Sequence, residues 1–487
     1  MCGIYATFGK VPKEPDLSWR GPDDYGQASG PNWEMCFWRL AINGTYGPNQ
    51  PIEDDGLTLV CNGEIYNYLE LGGQRGESDC NVILPTIERE GLFHACEMFS
   101  GDFAFVYTDG KNYWAARDRV GVRPLFYVRH EKGMAFASEA KGLLEFGSKI
   151  YIFPPGHLYD SEMDKFVCWA PNYWDHPREG MSFEDIKFHL RGYFLDAVRK
   201  RVETTERPVG FFLSGGLDSS LVAWAGAKIL APQKIKTFSI GCGDSPDLKA
   251  AREMADFLGA EHTEITFTPE QALGRLSDVI KHLESYDITT VRASVPMFLM
   301  SEWIKKNTDI RVVLSGEGSD ELFGGYLYFH NAPDLDSFRC ETNRLVQDVH
   351  LFDVLRADRC TAAHGLELRV PFFDRDFMDF VMDGFDTVWK FPNKGFEKWI
   401  LRVTFNDDLP PAICWRQKNG MSDAVGYSWV DALRAKYSDG EERQYKNIFD
   451  KFFGREQYNL TPYMWRPKWT DVKDPSARML KGIFNEA

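Results

Sequence analysis

The chain has 487 residues, 44% hydrophobic and 26% charged, a balance ordinary for a soluble globular protein of roughly two to four domains. Its 56 Lys and Arg against 72 Asp and Glu leave a net charge of −16, which argues against non-specific binding to nucleic acid or an anionic membrane. No apolar run approaches the roughly 18 residues of a membrane span, and the start MCGIYATFGK lacks the basic-then-apolar order of a secretory signal, so a cytoplasmic protein is expected.

In chain order, residues 1 to about 170 read as short strands separated by Gly, Asn and Asp. The runs are Glu34–Ile42, Leu57–Cys61, Phe103–Thr108, Tyr113–Arg117, Leu125–Arg129 and Met134–Ser138, a spacing that predicts sheet packed on sheet. Val82, Ile83 and Ile87 share one face of a predicted helix over Cys80–Glu90. Trp169–Pro177 is aromatic and proline-rich and reads as a connector, after which Ser182 caps a helix with Asp185 three residues on. Beyond it the pattern alternates: strand Val209–Leu213, helix Ser219–Leu230, strands Ile235–Ile240 and Glu264–Phe267, helices, then strand Arg311–Leu314. Such alternation predicts a parallel sheet with crossovers. From about Asp334 the chain reads as helices and loops.

Ten cysteines are scattered with no CxxC pair, as expected for reduced thiols in a large intracellular enzyme. Cys2 stands apart. If Met1 is removed, Cys2 carries a free α-amine with a pKa of about 7.7–8.0, and that amine can act as base for its own thiol. Attack on an amide carbonyl then needs oxyanion donors, for which the Asn62 amide and the Gly63 N–H are candidates. Arg39 suits a carboxylate, and Glu64 and Asp79 suit an ammonium group. Taken singly these signals are weak, because Asn-Gly is also a common hairpin turn.

The strand VGFFL runs into Ser214-Gly215-Gly216-Leu217-Asp218-Ser219-Ser220 and a helix. Glycines allow close approach to a ligand, the helix N-terminus favours phosphate, and Asp218 offers oxygen to Mg2+. A lone SGG is an ordinary strand-to-helix turn; the full SGGLDSS is far more specific. It resembles the pyrophosphate loop of ATP-pyrophosphatases. Val312-Val313-Leu314 is followed directly by Ser315-Gly316-Glu317-Gly318-Ser319-Asp320-Glu321. Ligands of open parallel sheets sit beyond the strands' carboxyl ends, so both loops are expected to edge one crevice.

Together these motifs resemble the class II glutamine amidotransferases, and specifically the glutamine-hydrolysing asparagine synthetase family. MCGI, RGPD (20–23), RLAI (39–42), NGEIYN (62–67), SDCNVI (78–83), GDFAF (101–105), RDRVGVRPLFY (117–127) and ASEAKGL (137–143) carry the match in the first part. LSGGLDSS (213–220), TFSIG (237–241), SPDLKAA (245–251), YDITTVRAS (286–294), LSGEGSDELFGGY (314–326), LRVPFFD (368–374), WRQK (415–418) and VGYSW (425–429) carry it in the second. The resemblance implies a two-domain α/β protein. Residues 1–172 would form an N-terminal nucleophile αββα sandwich with antiparallel sheets, and residues 173–487 a Rossmann-like parallel-sheet ATP-pyrophosphatase domain with extra helices.

It also implies roles. Cys2 would be the glutaminase nucleophile. Arg39, Leu40, Ala41, Ile42, Asn62, Gly63, Glu64 and Asp79 would hold glutamine and its oxyanion. Leu213, Ser214, Gly215, Gly216, Asp218, Ser219, Ile240, Ser315 and Gly316 would contact ATP. Asp218 and Asp320 would bind Mg2+, Glu317 would serve aspartyl-adenylate formation, and Lys418 would neutralise phosphate charge. Thr289, Thr290 and Arg292 match the family's proposed aspartate region. Glutamine, aspartate and ATP are the implied small-molecule partners, with ammonia passed through an internal tunnel in a homodimer. The chain departs from the family in a short Tyr5–Trp19 segment, with Trp19 before RGPD where a His is usual. Tyr68–Glu77 and the C-terminus also look trimmed. Two alternatives stay open: an amidotransferase acting on another acid, and a non-catalytic nucleotide-binding protein on the same fold.

Overall fold

In the computed structural model all residues are described except 10–11, 45–49, 171–177, 179, 394, 418–424, 438–439 and 473–487, and residues 427 and 428 are described by backbone alone. The first part builds two antiparallel six-stranded sheets. One has the order β10-β8-β9-β1-β3-β2, and the other β12-β11-β7-β6-β5-β4. In chain order the strands are β1 (Gly3–Phe8), β2 (Asp24–Gly30), β3 (Trp33–Arg39), β4 (Ile52–Asp54), β5 (Leu57–Ile65), β6 (Gly101–Thr108), β7 (Tyr113–Arg117), β8 (Phe126–His130), β9 (Gly133–Ala137), β10 (Tyr151–Ile152), β11 (His157–Asp160) and β12 (Lys165–Cys168).

Period-two alternation decides which face meets what. Ile4, Ala6 and Phe8 of β1 and Met35 and Phe37 of β3 meet Val60, Ala104 and Val106 between the sheets. The intervening Leu59, Cys61, Phe103, Phe105 and Tyr107 face outward. They pack under Ile83 and Ile87 of α1 (Ile83–Glu90) and Ala95 and Cys96 of α2 (Leu92–Met98). The outer face of the first sheet is covered differently. Tyr5, Trp38, Val128 and Ala137 share a core with Leu143 of the 3-10 stretch Ala140–Phe146, and with Ile186, Phe211 and Leu314 of the second part. The two parts are therefore joined by a common hydrophobic core.

Ser182 caps α3 (Phe183–Glu203) by accepting the Asp185 N–H at 3.1 Å, as the sequence predicts. The second part is a five-stranded parallel sheet of order β15-β14-β13-β16-β17. Its strands are β13 (Val209–Phe212), β14 (Lys236–Gly241), β15 (Glu261–Thr266), β16 (Val312–Leu314) and β17 (Glu367–Arg369). The chain runs outward from β13 through α4 (Leu217–Leu230), β14 and α5 (Pro246–Leu258) to β15. It returns through α6 (Pro269–Leu283) and α7 (Ile288–Asn307) to lay β16 on the other side of β13. The strand order reverses between β13 and β16, which places a ligand crevice beyond their carboxyl ends. The remaining chain is mainly helical, as expected. All ten cysteines are free, and among the described residues no helix is long and apolar enough to cross a membrane.

Candidate active sites

Asn62 lies within β5, paired with Ala104 of β6, and not in a hairpin turn. Gly63 sits opposite Phe103, and a Cβ there would meet Phe103 Cα at 2.7 Å and Asp102 O at 2.6 Å. The glycine thus serves a close approach between strands. Asn62 is fully buried. Its Oδ1 accepts the Cys2 N–H at 3.0 Å, while its Nδ2 is buried without a hydrogen-bond partner among the described residues. A buried unpaired amide donor is costly, so this group is oriented by Cys2 yet left open to another acceptor. The Leu40 N–H points to Cys2 Sγ at 3.4 Å. Burial pushes the Cys2 thiol up to about 11, against the pull of the chain's terminal ammonium and the Leu40 contact.

Met1 itself is buried, and its ammonium pairs with Glu367 Oε2 at 3.2 Å. Glu367 belongs to β17, so the chain start reaches across to the second part. Burial works against charge on Glu367, but the Met1 ammonium, Arg369 and Arg123 outweigh it and hold the carboxyl below the usual range.

Glu64 and Asp79 meet through a residue the motifs did not single out. Asn43 Nδ2 donates to Glu64 Oε2 at 2.7 Å and to Asp79 Oδ1 at 3.3 Å. Asp79 Oδ2 also accepts the Ile65 N–H at 2.6 Å, and Arg369 pairs with Glu64 at 3.0 Å. Arg39, at the end of β3, donates to the carbonyls of Asn43 and Gly44. The Ala41 N–H is held by Asp23 at 2.8 Å, the Ala41 carbonyl by Arg207 at 2.8 Å, and the Ile42 carbonyl by the Glu206 N–H at 3.2 Å.

Burial raises Asp79 to about 6, despite the Ile65 and Asn43 hydrogen bonds. Burial, Asp79 and Glu367 likewise raise Glu64. A carboxyl whose folded value exceeds its ordinary 3.8 binds more protons when folded, so its contribution falls as pH rises from about 4 through 6. Asp79→Asn is accordingly expected to flatten the loss of stability across that window, read as the urea midpoint against pH. A slope equal to wild type contradicts the assignment.

In the second part, α4 begins at Leu217, two residues earlier than predicted, so Asp218 lies in its first turn. Ser219 Oγ accepts the Ser214 N–H at 3.1 Å and lies 3.0 Å from Ser214 Oγ, which in turn accepts the Gly216 N–H at 3.3 Å. Gly215 adopts φ +69°, and a Cβ there would meet Ala250 C at 2.3 Å. Its glycine is needed for packing on α5. The loop after β16 touches the first loop: a Cβ on Gly316 would meet Asp218 C and Ser219 N at 2.8 Å. The Ser315 N–H is held by the Arg369 carbonyl at 3.1 Å.

These loops edge one open cavity, together with Leu213, Ile240, Thr289, Thr290, Glu317 and Asp320. Glu317 Oε2 pairs with Arg356 at 2.9 Å, and Arg356 also holds Asp353 at 2.7 Å. Thr290 Oγ1 donates to Asp287 at 2.7 Å, and Thr289 Oγ1 is buried without a partner among the described residues. Arg292 is placed apart from Thr289 and Thr290. Its guanidinium is buried in a two-pronged pair with Glu441, at 2.9 and 2.6 Å, and does not line the cavity. Lys418 falls outside the described residues. Its neighbour Arg416 donates to Ser214 O at 3.2 Å and pairs with Asp247 at 2.8 Å.

The largest omission from the sequence reading is Lys398, whose Nζ lies 2.6 Å from both Asp218 Oδ2 and Asp320 Oδ1. Neither spacing nor a glycine-rich context marks it. Asn43 and Arg356 are equally unmarked.

Two facing antiparallel sheets with a cysteine at the head of the first strand, joined to a parallel sheet with glycine loops at its switch point, define a class. It is an N-terminal nucleophile amidotransferase fold fused to an ATP-pyrophosphatase fold. The pattern described as "Glutamine amidotransferase domain" matches residues 1–159, and that described as "Asparagine synthase" matches residues 189–344 and 334–468. The chain is 38% identical to "Asparagine synthetase [glutamine-hydrolyzing]" of Asparagus officinalis, covering 100% of this chain and 94% of that one. The corresponding protein of Gallus gallus is 38% identical, and "Probable asparagine synthetase [glutamine-hydrolyzing]" of Schizosaccharomyces pombe 41%, each over 99% of both chains. The chain belongs to the glutamine-hydrolysing asparagine synthetase family. The Asparagus alignment spans 559 positions against 487 residues, so that relative carries segments absent here.

Proposed function

We propose that the protein makes asparagine from aspartate, glutamine and ATP, in two sites. The observation that carries this reading is the presence, in one chain, of an open amide donor beside Cys2 and of two carboxylate-bearing loops converging at a parallel-sheet switch point.

At the first site, removal of Met1 frees the Cys2 amine to take the thiol proton. The sulfur adds to the side-chain amide carbon of glutamine, and Asn62 Nδ2 and the Gly63 N–H hold the resulting oxyanion. Collapse expels ammonia and leaves a thioester, which water cleaves to glutamate. Arg39 and the Leu40–Ala41–Ile42 main chain position the substrate carboxylate, and Glu64 and Asp79 its ammonium. With Met1 in place its ammonium is buried against Glu367, and Cys2 has a peptide N–H in place of the free amine this mechanism needs. An extension fused ahead of Met1 is expected to abolish glutamine-driven synthesis while ammonium-driven synthesis persists; loss of neither, in a chain verified by mass, refutes the free-amine mechanism. Asn62→Ala is expected to lower glutaminase kcat by about 10²–10³, measured as glutamate release, and to spare the ammonium-driven reaction.

At the second site, an aspartate β-carboxylate oxygen attacks the α-phosphate of ATP, pyrophosphate leaves, and β-aspartyl-AMP forms. Activation is required because a carboxylate at neutral pH is a poor acceptor for ammonia. Ammonia adds to the acyl carbon and AMP departs with the electron pair of the broken C–O bond. Leu213, Ser214, Gly215, Gly216, Ser219, Ile240, Ser315 and Gly316 frame the nucleotide, and Glu317 serves adenylate formation. Thr289 and Thr290 face aspartate, with Arg292 as a supporting ion pair. Arg416, and Lys418 beyond the described residues, answer phosphate charge.

Asp218 and Asp320 offer hard oxygen donors converging on one cation position, which fits Mg2+. When bound there, Mg2+ would neutralise charge on the phosphates. A cytoplasmic homodimer belongs to the same proposal, and sedimentation reads its oligomeric state. Aspartate-dependent exchange of pyrophosphate into ATP tests the second site. Its absence in folded, Mg2+-supplied protein would overturn the adenylation reading.

A further inference from the structure

Asp218 and Asp320 come from different loops, one after β13 and one after β16, yet converge on a single ammonium. Lys398 Nζ lies 2.7 and 2.6 Å from the two Asp218 oxygens and 2.6 Å from Asp320 Oδ1. The lysine side chain is 1% exposed, whereas the two carboxylates are 13% and 15% exposed and face the cleft. The surroundings are built for it. Its backbone holds φ +57°, costly for a side-chain-bearing residue. A Cβ on Gly325 would come within 1.9 Å of Lys398 Cε and 2.2 Å of Asp320 Oδ1, so only glycine leaves room for the stem.

Two carboxylates this close need a cation between them. A lysine ammonium is a compact point charge on a flexible stem. A divalent cation would use the same oxygens at a shorter distance. The two cannot share the position.

We propose that Lys398 is a resident placeholder cation. In the ligand-free protein its ammonium holds the position between Asp218 and Asp320 that a divalent cation takes together with nucleotide. Binding exchanges one for the other, and the displaced ammonium turns to the polyphosphate as a positioning group. This rests on reading the cleft as the nucleotide site. It has a consequence that reading lacks: without nucleotide, the two carboxylates bind divalent cations poorly, so the metal arrives with ATP and not before it.

The test uses full-length protein without nucleotide, with Mn2+ as the probe followed by its electron paramagnetic resonance signal, and with melting temperature read with and without Mg2+. Wild type is expected to bind Mn2+ weakly and to melt at the same temperature in either condition. Lys398→Met is expected to melt lower without Mg2+, to regain the difference with it, and to bind Mn2+ about tenfold more tightly or better, a modest figure for removing a charge a few ångström away. Lys398→Met combined with Asp320→Asn removes the repulsion; it should fold without Mg2+ and lose the gain in Mn2+ affinity. Equal Mn2+ affinity in wild type and Lys398→Met overturns the proposal, as does an unchanged affinity on adding Asp320→Asn. Binding of Mg-ATP to wild type, measured separately by calorimetry, fails only if the nucleotide reading itself is wrong.

Discussion

Replacing Cys2 by Ala should abolish glutamine-driven asparagine formation, by about 10³-fold or more, and leave the ammonium-driven rate within about twofold of wild type. The asymmetry follows from the architecture. Cys2 sits at the head of β1, its N–H on Asn62 Oδ1 at 3.0 Å and its sulfur 3.4 Å from the Leu40 N–H, whereas among the described residues the loops after β13 and β16 make no hydrogen bond to it. Neither Cys61 nor Cys80 replaces it, because both lie in the helix-covered core behind the second sheet. Steady-state rates with each nitrogen donor, at saturating aspartate and Mg-ATP, make the comparison. Equal loss with both donors would mean that Cys2 supports the fold and not the hydrolysis.

Arg20→Ala is expected to destabilise the protein by about 3–5 kcal/mol, the range for removing one partner of a buried ion pair. Arg20 is fully buried. Its Nε donates to the Cys2 carbonyl at 2.8 Å, and its Nη1 reaches Glu139 and Asp358 at 2.9 Å each. Glu139 keeps Arg359 at 3.0 Å and Lys141, so Asp358 bears most of the loss. Asp358 belongs to the second part, so the change strikes the joint between the two. Denaturant unfolding should show the loss, and glutamine-driven activity should fall further than ammonium-driven activity because the Cys2 carbonyl loses its anchor. A destabilisation below about 1 kcal/mol would show that the network relaxes onto its remaining partners.

Much of this frame was legible in the sequence because it is written in short-range patterns. Alternation placed β6, β7, β8 and β9 to within two residues, and the Ser182 cap was read directly. Leu57–Cys61 was read too short, since Asn-Gly signalled a turn while the real demand on Gly63 is contact with Phe103 across the ladder. β2 is an exposed polar edge strand, and β17 is only three residues long, so neither carries a local signal. That both glycine loops edge one cleft was legible for the same reason as the sheet: both directly follow apolar strands. Lys398, Arg356 and Asn43 were not, because only tertiary contact distinguishes a buried cation or amide from a solvated one. Arg292 shows the converse. Its motif is intact, but its charge is taken up by Glu441 from about 150 residues downstream.

The central claim is that aspartate is activated as an acyl-adenylate and then captured by ammonia. Aspartate labelled with ¹⁸O in its β-carboxylate, turned over with Mg-ATP and either nitrogen donor, tests it most directly by mass spectrometry of the products. One labelled oxygen in each AMP, with none in pyrophosphate, is the result this account predicts; label in pyrophosphate or in inorganic phosphate, or asparagine formed without labelled AMP, would contradict it.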